Sequence, residues 1–174
     1  MADLEGVGTM VTVVSARTRA ERQAIRTLVR EFADWATGTI VPDAIEPPPV
    51  LAKLGEELAN LPRKYTDPDG ALFLASVDGQ VAGCIGGGMI ITVLRSLGFR
   101  SDSASRGHGV GEALVQQLLA TAWSVGHEQV ILRSHKGMTS ARHIYHRARF
   151  ADMDGVGVCP EFIDIEIAMA RALG

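Results

Sequence analysis

Cysteine is scarce in this 174-residue chain, with only Cys84 and Cys159, so no disulfide framework can staple the fold. Aromatic residues supply just 5% of positions, which leaves the core to aliphatic packing. No apolar run approaches the roughly 18 residues that a membrane-crossing helix needs, and no partnership with a membrane is expected. The opening MADLEGVGTMVTVV has neither a basic n-region nor a long apolar core, so a cytoplasmic, reduced protein is the expectation. Repeats, low-complexity tracts and a recognisable inter-domain linker are also missing. What is present is 47% apolar content and 19 glycines in a length that suits one domain, residues 1–174, with 1–9 expected as a loose tail.

Charge is unevenly placed. The net charge is −3, yet residues 91–150 carry 8 Lys/Arg against 3 Asp/Glu, while both flanks are acidic. A basic middle in an acidic chain favours an anionic small ligand held there. Nucleic acid is not expected, because no long Lys/Arg stripe with interleaved aromatics accompanies that charge.

Residues 11–16 read as a first strand, and Thr18 with Glu21 forms a capping-box pair ahead of Ile25, Leu28, Val29 and Phe32, one apolar helix face. The stretch TGTIVPDAIEPPPV, residues 37–50, holds four of the seven prolines and reads as an irregular loop. Leu51, Leu54, Leu58 and Leu61 follow at helical spacing and give a second helix that stops at Pro62. ALFLASV (71–77) and QVAGCIGG (80–87) flank Asp78-Gly79, a two-residue hairpin signal. The Gly86–Gly88 run fits a turn, a bulge or a close backbone approach equally well. MIITVLRSLGF (89–99) reads as a third central strand. A helix then runs from Val110 to a C′ glycine at Gly126, followed by a strand at 130–134 and a helix at 139–149 with Ala141, Ile144, Tyr145 and Ala148 on one face. FIDIEIAM (162–169) alternates apolar and acidic residues as a strand with one wet face.

Between the third strand and the Val110 helix stands Arg106-Gly107-His108-Gly109-Val110-Gly111. Glycines at a helix start let backbone N–H groups converge on a concavity, where the helix dipole favours negative charge. The loop is not a Walker A motif, since Glu112 and Ala113 stand where Lys-Ser/Thr would be required. It is not a dinucleotide fingerprint either, because hairpin-linked strands rather than a βαβ unit precede it. The histidines His135, His143 and His146 lack the acidic or thiol neighbours that would complete a metal shell, and no metal is expected.

The order of elements and two motifs together resemble the GCN5-related N-acetyltransferase (GNAT) family, over about residues 10–170. Arg106, Gly109 and Gly111 match its Arg/Gln-x-x-Gly-x-Gly/Ala loop, and Ala141, Ile144, Tyr145 and Phe150 match its second signature. The resemblance implies an α/β fold with a strongly bent mixed sheet of about six or seven strands and four helices. It implies acetyl-CoA as co-substrate, with the pyrophosphate on the backbone amides of Arg106, Gly107, His108, Gly109, Val110 and Gly111. The main chain of Leu97, Gly98 and Phe99 would pair with the pantetheine arm, and Tyr145 would be the general acid toward the departing thiolate.

The implied activity is acetyl transfer to a primary amine of a small molecule by direct attack in a ternary complex. The alternative is a weakly active or inactive acyl-CoA-binding sensor or assembly module. The acceptor cleft would be lined by residues 40–50 and 152–162, whose Asp43, Glu46, Asp152, Asp154 and Glu161 suit a cation; a homodimer stays open. The chain departs from the pattern at Met138, often asparagine in the family, at Arg149 in place of glycine before Phe150, and in TVLRSLGF, which lacks a carboxylate. The base would then be water, another acid such as Glu161, or unnecessary for an amine that arrives deprotonated. Arg142, Arg147 and Arg149 could lie near the phosphates. Taken without the motif, Tyr145 reads as a partly buried aromatic with its hydroxyl at the surface.

Overall fold

The computed structural model describes residues 9–40, 65, 70–88, 93–95, 107–153 and 166–174. Among them lie seven strands and three helices: β1 (Val11–Ser15), α1 (Arg19–Ile40), β2 (Gly70–Val77), β3 (Gln80–Gly88), β4 (Val93–Arg95), α2 (Val110–Ser124), β5 (Gln129–His135), α3 (Thr139–Arg147), β6 (Ala151–Met153) and β7 (Glu166–Ala172). The expected helix over 51–61 lies outside the described residues, as do 89–92 and 96–99 of the expected third strand.

The α/β class holds, but the described strands form two sheets rather than one bent sheet. One has the order β1-β2-β3, the other β4-β5-β7-β6. The first is antiparallel throughout; in the second, β4 runs parallel to β5, and β7 is antiparallel to both β5 and β6. The physical reason for the division is that no ladder joins β3 to β4 among the described residues. The β4–β5 ladder ends at Arg95 opposite Arg133, whereas β5 goes on pairing with β7 as far as His135 opposite Glu166.

Local signals explain the first sheet. Asp78 and Gly79 take φ of 48° and 82°, the left-handed pair that a type I′ hairpin turn demands. The Asp78 carboxylate also accepts from the Met10 amide at 3.0 Å and ties down the start of β1. β2 is buried on both faces: Leu72 and Leu74 pack with Ile25, Leu28 and Val29 of α1, while Phe73 and Ala75 join Leu114 and Leu118 of α2. Period-two alternation thus places one helix on each side of this sheet. The glycine run resolves as a close approach within the β2–β3 ladder. A Cβ on Gly86 would stand 3.0 Å from Leu72 Cδ1 and 3.1 Å from Tyr65 Cδ1.

The capping box at α1 is formed. The Glu21 amide donates to Thr18 Oγ1 at 3.2 Å, and Glu21 Oε2 accepts from the Thr18 and Arg17 amides at 2.7 and 2.8 Å. Those hydrogen bonds hold the Glu21 carboxyl below its ordinary range. α1 continues to Ile40, through residues expected in the loop, because Thr37 and Gly38 are weak breakers and the first proline comes only at Pro42. The last strand also corrects the expectation: β7 extends to Ala172 and is paired on both edges, and its Glu166 side chain is mostly covered rather than wet.

Both inner helices end in Schellman turns. At α2, Gly126 takes φ 88°, and the His127 amide donates to the Ala122 carbonyl at 3.0 Å. At α3 the same position is held by Arg149 at φ 63°, with the Phe150 amide donating to the Tyr145 carbonyl at 3.0 Å. A left-handed arginine is strained by roughly 1 kcal/mol relative to glycine. Arg149→Gly is therefore expected to raise stability by about 0.5–1 kcal/mol, a gain of a few °C in Tm. A thermal melt checks this, and an unchanged or lower Tm would show that the strain is absorbed elsewhere.

Candidate active site

The cradle is built where α2 meets β3. A Cβ on Gly83 of β3 would stand 3.2 Å from both Val110 Cγ1 and Leu114 Cδ1, so a glycine here lets the start of α2 settle against the strand. Val110 and Gly111 are buried, while Gly107, His108 and Gly109 are exposed. Gly107 and Gly109 take φ of 86° and 74°, and a Cβ on either would have no neighbour within 4 Å. The glycines are thus required by the backbone turn and border open space. The first bond of α2 runs from the Ala113 amide to the Gly109 carbonyl at 2.9 Å. That leaves the amides of Val110, Gly111 and Glu112 without helical acceptors, and Gly109 supplies no side-chain cap. Together with the dipole of a 15-residue helix, these donors suit a diphosphate. Of the other residues expected to bind it, Arg106, Leu97, Gly98 and Phe99 lie outside the described residues.

α3 packs beside α2 and carries Tyr145 into the same core cluster as Val110 and Leu114. Tyr145 is 1% exposed, its hydroxyl is enclosed, and its ring meets Phe150 edge-on at 5.9 Å. The partly buried aromatic that helical spacing alone suggests is not what forms. The Schellman turn brings Phe150 back onto the ring, and the phenol lies in the interior, in the core shared with α2.

The cations of α3 are distributed among carboxylates. Arg142 Nη2 lies 3.2 Å from Asp152 Oδ2, and His146 Nε2 lies 3.4 Å from Asp152 Oδ1. Asp152 sits on β6, a three-residue strand that the sequence did not announce, so this carboxylate is engaged by α3 rather than presented alone to an acceptor. Asp43, Glu46, Asp154 and Glu161 lie outside the described residues. Arg147 Nη1 bonds Glu112 Oε1 at 3.0 Å, which places one arginine of α3 at the cradle.

Sequence reasoning missed the end of β5. His135 stands opposite Glu166, and its Nδ1 accepts from the Gly137 amide at 3.0 Å. Burial lowers its pKa, with Glu166 opposing, so the imidazole is neutral near physiological pH. Only the tight Lys136-Gly137 turn hinted at this contact. Cys84 is wholly buried in the α1-facing core, which pushes its thiol up to about 12. No group of three or more His, Cys, Asp or Glu side chains that could hold a metal occurs among the described residues, and no described helix is long and apolar enough to cross a membrane.

The acetyltransferase (GNAT) family model matches residues 32–150. The chain belongs to the GNAT acetyltransferase family. Among curated proteins none matches by sequence. The GNAT chain is similar in fold to a GNAT-family acetyltransferase from Staphylococcus aureus Mu50, at TM-score 0.71 and 15% identity, covering 95% of this chain and 100% of that one. It is also similar to the PaiA N-acetyltransferase of Thermoplasma acidophilum in complex with coenzyme A, at TM-score 0.68 and 14% identity over 94% and 99% of the two chains. The ribosomal-protein-S18-alanine N-acetyltransferase of Escherichia coli is similar at TM-score 0.63 and 14% identity, over 95% of each chain. At these identities the likeness concerns the GNAT fold, and the acceptor is a separate matter.

Proposed function

We propose that this chain is one acyltransferase domain that moves an acetyl group from acetyl-CoA to a primary amine of a small molecule, by direct attack in a ternary complex. The observation that carries this reading is the open cradle of amides at the start of α2, bounded by left-handed Gly107 and Gly109 and backed by the core that holds Tyr145. Family membership and a fold neighbour that holds coenzyme A support acetyl-CoA as the donor.

In this reading the amides from Arg106 to Gly111 hold the pyrophosphate. The main chain of Leu97, Gly98 and Phe99 lies along the pantetheine as an added strand would. The amine nitrogen attacks the thioester carbonyl carbon, the C–S bond breaks, and Tyr145 gives its phenolic proton to the leaving thiolate. The amine enters unprotonated, and the proton it sheds passes through water to restore the Tyr145 phenol. A phenol suits the acid role because its ordinary pKa of about 10 lies only modestly above the 8.5 of a thiol, and it brings no charge into an apolar slot. The acidic segments after α1 and after β6 in sequence favour an acceptor that is cationic in solution.

Adding acetyl-CoA or CoA at about 100 times its Kd is expected to stabilise the protein by roughly 2.7 kcal/mol, read as a higher Tm. Thiol release against a panel of amines follows in the same samples. Stabilisation with amine-dependent release supports the enzyme, stabilisation without release favours a CoA-binding sensor, and no stabilisation at saturating cofactor overturns the reading.

A further inference from the structure

Glu21 and Glu112 occupy the same place in their helices, three residues after the N-cap positions Thr18 and Gly109. Glutamate there ordinarily folds back over the helix end and accepts from the amide of the N-cap residue. Glu21 does so, with Oε2 at 2.7 and 2.8 Å from the Thr18 and Arg17 amides, so the start of α1 is filled by its own carboxylate. Glu112 does not. Its Oε1 instead accepts from Arg147 Nη1 at 3.0 Å, across a separation of 35 residues, and no side chain caps α2.

We propose that Arg147 is a positioning residue for the acyl donor: it draws the Glu112 carboxylate toward α3 and so keeps the amides of His108 and Gly109, just before α2, open to the pyrophosphate. The proposal rests on the reading of that cradle as the CoA site. Without Arg147, the carboxylate is released one turn from its own helix terminus, where the dipole attracts it. It then competes with the phosphates for the same donors and repels them. The role does not require Arg147 to touch the ligand, and it explains how a helix that begins with an acidic residue in its first turn can still present an anion site.

The test measures Kd for CoA by calorimetry in four forms of the full chain: wild type, Arg147→Lys, Arg147→Ala, and Arg147→Ala combined with Glu112→Ala. Arg147→Ala is expected to raise Kd about tenfold, the scale of one adjacent charge near a protein surface, while Arg147→Lys stays near wild type because it keeps the ion pair. The double variant returns to within about twofold of wild type, since the competing carboxylate is gone. The KM for acetyl-CoA follows Kd, and kcat at saturation is unchanged. Arg147 is 63% exposed in its side chain, and exposed pairs contribute little to stability, so Tm moves by no more than about 2 °C. Unchanged affinity in Arg147→Ala overturns the proposal. A double variant as weak as Arg147→Ala also overturns it, because Arg147 would then be a direct phosphate ligand. If wild type itself fails to bind CoA, the cradle reading falls, which the wild-type arm reports separately.

Discussion

Replacing Tyr145 with phenylalanine is expected to lower kcat for amine acetylation by about 10²- to 10⁴-fold, the usual contribution of a positioned general acid, while Kd for acetyl-CoA stays within about twofold. The substitution removes one oxygen from a side chain that is 1% exposed and leaves the ring against Phe150 in place. The folded state should therefore lose only about 1 kcal/mol, the net worth of a buried hydroxyl. Single-turnover thiol release, alongside a thermal melt, separates the chemical effect from the structural one. If turnover persists at the wild-type rate, the thiolate takes its proton from water and Tyr145 serves only the core. Tyr145→Ala would not make the same distinction, because emptying this position removes a large buried ring and costs about 3–5 kcal/mol of stability.

The second large effect is expected at the cradle. Gly109→Asp should weaken CoA binding by about 100-fold or more, by placing a carboxylate among the donors proposed for the pyrophosphate. Sterics do not interfere with the experiment, since a Cβ at this position has no neighbour within 4 Å. The backbone angle of 74° imposes about 1 kcal/mol of strain on any non-glycine residue, and aspartate tolerates that region better than most. Gly109→Asn carries the same strain and nearly the same shape without the charge, so the difference between the two variants in Kd isolates electrostatic exclusion. Equal and undiminished affinity in both would remove the helix start from the cofactor site.

Features set by a few neighbouring residues were legible in the sequence. Thr18 and Glu21 lie three residues apart, Asp78-Gly79 admits few turn types, and Gly126 supplies the left-handed residue that closes α2. The glycine-led start of α2 was legible for the same reason, because Gly107 and Gly109 are needed locally by positive φ. Features fixed by partners distant along the chain were not. β6 has three residues and carries no periodicity, and it exists because β7 offers an edge. β7 itself reads as half-wet only while its neighbours are unknown, for the flanks that bury Ala168 and Met169 come from β5 and β6. The Thr37–Ile40 extension of α1 was hidden by residues that weaken a helix without stopping it. Arg147 stood with Arg142 and Arg149 as a cation that could lie near the phosphates, and its link to Glu112 exists only once the two helices are packed together.

On the proposed function a reactive thioester lies beside the polypeptide, where any nearby thiolate could capture the acyl group by transthioesterification. Only the ionised sulfur does this. Cys84 lies in β3, one residue after the glycine that seats α2, yet its side chain faces the α1 side of the sheet, and its proton is held to about pH 12. The sheet therefore separates this sulfur from the start of α2, and with the donor at the proposed site Cys84 would not capture the acyl group in place of the acceptor.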